Sequence, residues 1–117
     1  MVKNFLITTV GGITSPEIIK AIKKIKKSYW ILGVDQNKNA IGKFFVDKFS
    51  VVPFSKNSPQ KFIKIINNLI KKYKIDCLIP LGNDDNLVLN KFKRDSKSLN
   101  NQHLKQSAIN KQYSKKL

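Results

Sequence analysis

Short apolar runs alternate along the chain with segments in which apolar residues recur at helical spacing. The run over residues 29–35 is apolar towards both faces, which is typical of a parallel strand covered on both sides. Strands are predicted over residues 3–10, 29–35, 48–53 and 75–81. Helices are predicted over residues 18–27 and 84–92, with a short one at 40–43. A further helix is predicted to begin at Ser58 and Pro59, because apolar residues follow at helical spacing at positions 62, 66, 69 and 73.

This order of elements predicts an α/β fold with right-handed crossovers and a doubly wound parallel sheet. With 117 residues, 41% of them hydrophobic, the chain has room for one domain with a core. The apolar stretch FLITTV is short and breaks at Gly11 and Gly12, so we expect no signal peptide, and no run approaches a membrane span. Cys77 is the single cysteine and excludes a disulfide framework. A cytoplasmic protein without a membrane partner is expected.

The chain is strongly basic, with 23 Lys and Arg against 7 Asp and Glu and a net charge of +16. Such a charge raises the question of nucleic-acid binding. Arg94 is the one arginine, however, and arginine is the residue best suited to bidentate phosphate and guanine contacts. The helical lysines Lys20, Lys23, Lys24 and Lys27 fall opposite the apolar stripe, as on a solvated surface. Nucleic acid is therefore an unlikely partner.

The turn after the first strand carries the main chemical signal. Gly11 and Gly12 end the strand, and a helix follows, an arrangement that leaves backbone N–H groups free to meet an anion. Ser15 could cap this helix with Pro16 at its first position, or Thr14 could cap it with Glu17 as the capping-box partner. In either case the hydroxyls could serve the helix alone.

Two further strand ends are polar, and ligands in open α/β sheets collect at such ends. Asp35 ends the second strand, where dinucleotide folds place a ribose-binding carboxylate, although an Asx turn explains it equally well. The turn Gly82, Asn83, Asp84 and Asp85 follows the fourth strand, and there Asn83 or Asp84 could instead cap the last helix.

Familiar catalytic and cofactor motifs do not occur. GGITSP lacks the G-x-G-x-x-G spacing of dinucleotide sites and is not followed by the Gly-Lys-Ser/Thr of a Walker A loop. The single histidine, His103, lies in a polar stretch, and no Cys/His cluster suggests a metal. Cys77, in the middle of a predicted strand, is interpreted as a small core residue.

The order of motifs resembles the N-terminal domain of carbamoyl-phosphate-synthase-like ATP-grasp ligases. The resemblance rests on FLITTVGGITSPEIIKAIKK, WILGVDQNKNAIGKFFVDKFSVVP and YKIDCLIPLGNDDNLVL, and covers about residues 1–92. It implies a pre-ATP-grasp domain: a Rossmann-like three-layer sandwich with a mainly parallel sheet of four or more strands. In that family the domain lends its strand ends to the acceptor-substrate site, whereas ATP and magnesium are held in the ATP-grasp part.

By this resemblance, Gly11, Gly12, Thr14 and Ser15 would line the small-molecule substrate, with Asp35 and the turn Gly82, Asn83, Asp84 and Asp85 nearby. The stretch Asn83 to Asp85 departs from the more acidic family pattern, which weakens the substrate contact expected there. The chain itself would hold no cofactor and contribute no catalytic or metal-binding residue. It would need an ATP-grasp domain in cis or in trans.

Residues 93–117 are basic and rich in Asn, Gln and Ser, and are expected to form a mobile tail or a truncated linker. Three functions follow for the whole chain. The first is the substrate-side domain of an ATP-grasp carboxylate–amine ligase, which would be inactive alone. The second is a free-standing Rossmann-like module that binds a nucleotide or a phosphorylated metabolite. The third, which is less favoured, is a basic nucleic-acid-binding protein. The first predicts an exposed apolar patch where a partner docks.

Overall fold

A computed structural model of the protein describes residues 3–97, with side chains described up to residue 93. Strands and helices alternate as β1 (Asn4–Thr8), α1 (Ser15–Ile25), β2 (Trp30–Asp35), β3 (Lys48–Val51), α2 (Pro59–Lys72), β4 (Cys77–Pro80) and α3 (Asn83–Lys97). A 3-10 helix, Ile41–Phe44, connects β2 to β3 at the predicted short helix.

The sheet is wholly parallel, with the strand order β3-β2-β1-β4. Leu6 in β1 lies opposite Leu32 in β2 and Leu78 in β4, so β1 is central. The chain first builds outwards through β2 and β3 and then returns to place β4 on the other side of β1. The order therefore reverses between β1 and β4, which is the topological switch point of the sheet.

Both faces of the sheet are covered, as the predicted three-layer sandwich requires. Neighbouring residues of one strand point to opposite faces, so Leu6 and Ile7 belong to different cores. Leu6 packs with Phe62 of α2 and Leu89 of α3, whereas Ile7 packs with Ile19 of α1. The α/β class and the Rossmann-like sandwich with a parallel sheet of four strands are thus confirmed.

Strands β1, β3 and β4 are shorter than the apolar runs that predicted them, because the runs continue past the ends of β1 and β3 and begin before β4. Val10, Val52 and Ile75 lie outside the strands and are nevertheless buried in the core. Since burial continues into the turns, an apolar pattern marks the extent of the core better than the extent of a strand. Cys77 is buried in β4, as expected of a core residue.

The helix ends agree with the sequence in part. Ser58 stands at the N-cap of α2 and Pro59 follows it at the first helical position, as predicted, although the Ser58 side chain forms no capping hydrogen bond. At the other end of the chain, α3 continues to Lys97, past the boundary expected at residue 92. The tail predicted over 93–117 otherwise lies outside the described residues.

Lys23, one of the lysines predicted to lie on a solvated surface, forms contacts that join neighbouring elements of the fold. Lys23 Nζ lies 2.6 Å from Asp47 Oδ2 and 2.5 Å from the carbonyl oxygen of Tyr29. Asp47 Oδ2 also accepts the Ile31 N–H at 2.8 Å, so α1, β2 and the start of β3 are joined at one carboxylate. Within residues 3–97, no helix combines the length and the apolar character that a membrane crossing requires.

Replacing Ile66 by Ala is expected to lower the free energy of unfolding by about 2–5 kcal/mol, because the truncated side chain leaves a cavity in the core. Ile66 is fully buried on α2, whereas Asn68 on the same helix is exposed, so Asn68→Ala serves as the control and should change stability by about 0.5 kcal/mol at most. Urea unfolding followed by circular dichroism measures both. Equal stabilities of the two variants would contradict the assignment of this core.

Candidate functional site

A cavity of about 540 Å³ opens at the carboxyl edge of the sheet, where the loops after all four strands meet. Its lining comes from within residues 9–12, 35–41, 52–55 and 82–85, together with Phe62 of α2. It spans the switch point between β1 and β4, the place where open α/β sheets bind ligands. The structure brings most of the predicted site residues to this cavity, namely Gly11, Gly12, Asp35, Gly82, Asn83, Asp84 and Asp85.

The turn after β1 uses its own backbone donors. The Gly11 N–H donates to Asp35 Oδ2 at 2.8 Å, and the Gly12 N–H donates to the Thr9 carbonyl oxygen at 3.0 Å. A Cβ atom on Gly11 would lie 2.9 Å from Asp35 Oδ2, so this close approach requires glycine. The expectation that these amides are free to meet an anion is therefore wrong, because a carboxylate of the protein already occupies the Gly11 amide.

Thr14 and Ser15 do not line the cavity. Ser15 is fully buried, and its Oγ donates to the Val10 carbonyl oxygen at 2.5 Å, which fixes the first turn of α1 against the end of β1. Thr14 is exposed and stands at the N-cap of α1, but its side chain forms no capping hydrogen bond. The helix thus begins where the capping-box alternative places it, without the capping-box contact.

Asp35 forms the Asx turn that was one of the two interpretations of this residue, and it also lies at the cavity. Its Oδ1 accepts the Asn37 N–H at 2.9 Å, which is an Asx turn, while its Oδ2 accepts the Gly11 N–H. The carboxylate is 8% exposed and forms part of the cavity wall. Each carboxylate oxygen can accept a second hydrogen bond, so Asp35 retains acceptor capacity towards a ligand.

Asp85 joins three of the four loops. Its Oδ2 accepts a hydrogen bond from Thr9 Oγ1 at 2.5 Å, and its Oδ1 accepts one from Ser55 Oγ at 2.6 Å. Asp85 and Ser55 are both buried. Thr9 reaches this position with φ of +54°, a left-handed conformation that a β-branched residue rarely adopts. The hydrogen bond thus ties the end of β1 to the start of α3 across the switch point.

The turn after β4 packs closely against the turn after β1. A Cβ atom on Gly82 would lie 2.5 Å from Thr9 Oγ1, so a side chain there would displace the Thr9 hydroxyl. The Gly82 carbonyl oxygen accepts the Asn86 N–H at 3.0 Å. Gly82 therefore stands at the cap of α3, and the expected caps Asn83 and Asp84 lie inside the helix. Among the described residues, the Asp84 carboxylate has no hydrogen-bond or ion-pair partner.

The cavity is acidic although the protein is basic. Three carboxylates, of Asp35, Asp84 and Asp85, lie in its lining, and no lysine or arginine of the described residues joins them. No group of three or more His, Cys, Asp or Glu within residues 3–97 is arranged to hold a metal ion. Hydroxyl and ammonium groups are the natural partners of carboxylates in such a site, whereas phosphate would meet like charge.

Sequence reasoning missed Thr9 and Ser55, which hold Asp85. Both follow a strand, β1 and β3 respectively, and both line the cavity. A rule that considers every polar side chain just after a parallel strand would have found them. Their pairing with Asp85 has no signal in the sequence, because the loops meet only after the sheet has formed.

Replacing Asp85 by Ala is expected to lower the free energy of unfolding by about 1–3 kcal/mol, because the buried Ser55 hydroxyl then loses its partner. Asp84→Ala is the matched control: it removes the same charge from the same helical turn, yet Asp84 bonds to no described residue. Thermal and urea unfolding measure the difference between the two variants. Equal losses would show that charge at the start of α3, and not the Thr9 and Ser55 contacts, stabilises this edge.

Comparison with known proteins supports the fold and leaves the function open. No family model and no curated protein matches the sequence. Among solved structures, the chain is similar to a dTDP-glucose 4,6-dehydratase from Bacillus anthracis str. Ames in complex with NAD, with a TM-score of 0.55 and 11% sequence identity. The alignment covers 81% of this chain and 34% of that enzyme, so this chain spans about a third of its length. At this identity, the likeness establishes a Rossmann-like fold.

Proposed function

We propose that the chain is the substrate-side domain of an ATP-grasp carboxylate–amine ligase of the carbamoyl-phosphate-synthase-like type. Its acidic cavity would hold the acceptor substrate. The observation that carries the proposal is the pairing of a cavity at the switch point with a lining that holds three carboxylates and no basic side chain of the described residues. Such a cavity suits a small hydroxylated or amino compound and does not suit a triphosphate.

The residues of the cavity do not fit ATP or magnesium. Sites for nucleotide phosphates use free backbone amides, lysine or arginine, and a metal ion held by carboxylates. Here the Gly11 amide is bonded to Asp35, and no metal-binding group of acidic or other ligands is assembled within residues 3–97. On this proposal, ATP and magnesium would be held by a separate ATP-grasp domain, in cis or in trans, and this chain would contribute no step of phosphoryl transfer.

The cavity residues would act by position. Asp35 is fixed by the Gly11 and Asn37 amides, and Asp85 by the Thr9 and Ser55 hydroxyls, so neither carboxylate needs to reorganise when a substrate arrives. Asp84, half-buried and without a partner among the described residues, is the group best placed to pair with a substrate amine. Preorganised acceptors of this kind would orient the substrate.

A free-standing Rossmann-like module for a nucleotide is the second candidate. It is favoured by the position of Asp35, which ends β2 and lines the cavity as the ribose-binding carboxylate of a dinucleotide fold does. The solved structure similar to this chain contains NAD, which extends the same idea. The bonded Gly11 amide and the acidic lining weigh against it, since both oppose a pyrophosphate.

Titration calorimetry is expected to show no saturable heat when magnesium ATP or NAD is added to the chain alone, because no lysine or arginine among residues 3–93 lines the cavity to meet their phosphates. A parallel titration with inorganic phosphate gives the background from the lysine-rich surface. One-site binding of either nucleotide above that background would contradict the ligase proposal and favour the free-standing module.

A panel of small amines, amino acids and sugars, tested by thermal shift, is expected to contain compounds that raise the melting temperature. Asp84→Lys should abolish this stabilisation, because it reverses the charge of the wall without breaking a contact between described residues. The control Asn68→Lys adds a lysine at an exposed position of α2 that is outside the cavity lining, and should leave the response unchanged. Equal responses of Asp84→Lys and the unaltered protein would place binding outside the cavity.

A further inference from the structure

A second concave surface, a groove, lies between α2 and α3, the two helices that cover one face of the sheet. This groove encloses about 590 Å³ and has an apolar floor and walls, formed by Pro59, Ile63, Leu87, Val88 and Phe92. Leu87, in the second turn of α3, is 67% exposed and joins the other apolar side chains of the lining in one contiguous patch. The polar residues at its margin are Lys56, Gln60, Asp84 and Lys91.

The two lysines lie at opposite ends of the groove. Lys56 precedes α2 and Asp84 opens α3, so both stand at the carboxyl edge of the sheet. Lys91 follows Asp84 by two helical turns, a distance of about 10 Å along α3. An occupant that fills the apolar middle therefore meets Lys91 towards one end, and both Lys56 and the Asp84 carboxylate towards the other.

Charge decides among the possible occupants. A second copy of this chain would bring its own net charge of +16 to the contact. The chain's own segment 98–117 contains four lysines and no acidic residue, so it too would add positive charge next to Lys56 and Lys91. A partner with acidic residues around an apolar surface satisfies both features of the groove at once.

We propose that this groove binds an acidic amphipathic helix of a partner protein. The apolar side chains of that helix would lie on Ile63, Leu87 and Phe92, between acidic residues spaced about two turns apart that pair with Lys56 and Lys91. A groove between two packed helices has the shape that a third helix fills. The inference does not depend on the function proposed for the cavity. Asp84 lines both the groove and the cavity, so a helix bound in the groove would lie next to the cavity.

The test uses fluorescence anisotropy with three labelled helical peptides of roughly 18 residues, long enough to form a helix on binding. The first has Leu, Ile and Phe on one face and Glu elsewhere, the second replaces each Glu by Lys, and the third is a scrambled form of the first. The protein is expected to bind the first at least about tenfold more tightly than either of the others.

Two pairs of variants locate the binding surface. Leu87→Ser should weaken the first peptide by about tenfold or more, because it removes an apolar contact without changing the charge of the groove. The control Ile25→Ser alters a similarly exposed residue of α1, on the other face of the sheet, and should have no effect. Lys91→Glu should weaken the acidic peptide and strengthen the basic one, whereas Lys24→Glu, at an exposed lysine of α1, should do neither. Circular dichroism verifies that each variant is folded.

Several results would overturn the proposal. Equal binding of the scrambled peptide would show attraction by net charge alone. Equal binding of the basic peptide would show that Lys56 and Lys91 do not select the partner. Unchanged binding by Leu87→Ser would place the contact elsewhere on the protein.

Discussion

The turn that follows β1 is held between two buried carboxylates, and the arrangement of the site depends on this clamp. Asp35, at the end of β2, accepts the Gly11 N–H from one side. Asp85, in the first turn of α3, accepts a hydrogen bond from the Thr9 hydroxyl on the other side. Because both partners approach so closely, positions 11 and 82 have no room for a side chain. Four loops at one edge of the sheet are thereby fixed in relation to one another.

The clamp also sets what the cavity can bind. In the turn after β1, the Gly11 amide and the Thr9 hydroxyl bond the protein's own carboxylates, the Gly12 amide bonds the Thr9 carbonyl oxygen, and both carboxylates line the cavity. The usual use of a glycine turn before a helix, which is to meet an anion, is thus replaced by an internal contact. The protein carries +16 overall, yet three carboxylates and no lysine of the described residues line this cavity, and Lys23 pairs with Asp47 elsewhere in the fold.

The sequence predicted the fold more fully than the site, for a physical reason. The elements are predicted from local signals, such as the apolar run 29–35 and the Ser58-Pro59 start of α2. The order of these elements then predicts a parallel sheet. Gly11, Asp35 and Gly82 were found as strand-end residues, but their contacts were not, because residue 35 meets residue 11 only across two assembled strands. Thr9 and Ser55 were missed since a hydroxyl in a turn has many local uses. The resemblance placed Ser15 at the substrate, whereas its hydroxyl has a structural use and bonds the Val10 carbonyl oxygen inside the core.

The clamp on the β1 turn is tested most directly by two-dimensional NMR of the 15N-labelled protein during titration with inorganic pyrophosphate in magnesium-free buffer. The account predicts that the Gly11 amide exchanges slowly with solvent, and that the Gly11 and Gly12 signals do not move while signals of surface lysine residues shift weakly. A saturable shift of the Gly11 and Gly12 signals, at concentrations that leave the lysine signals unchanged, would show that the turn is an anion site and would contradict the account.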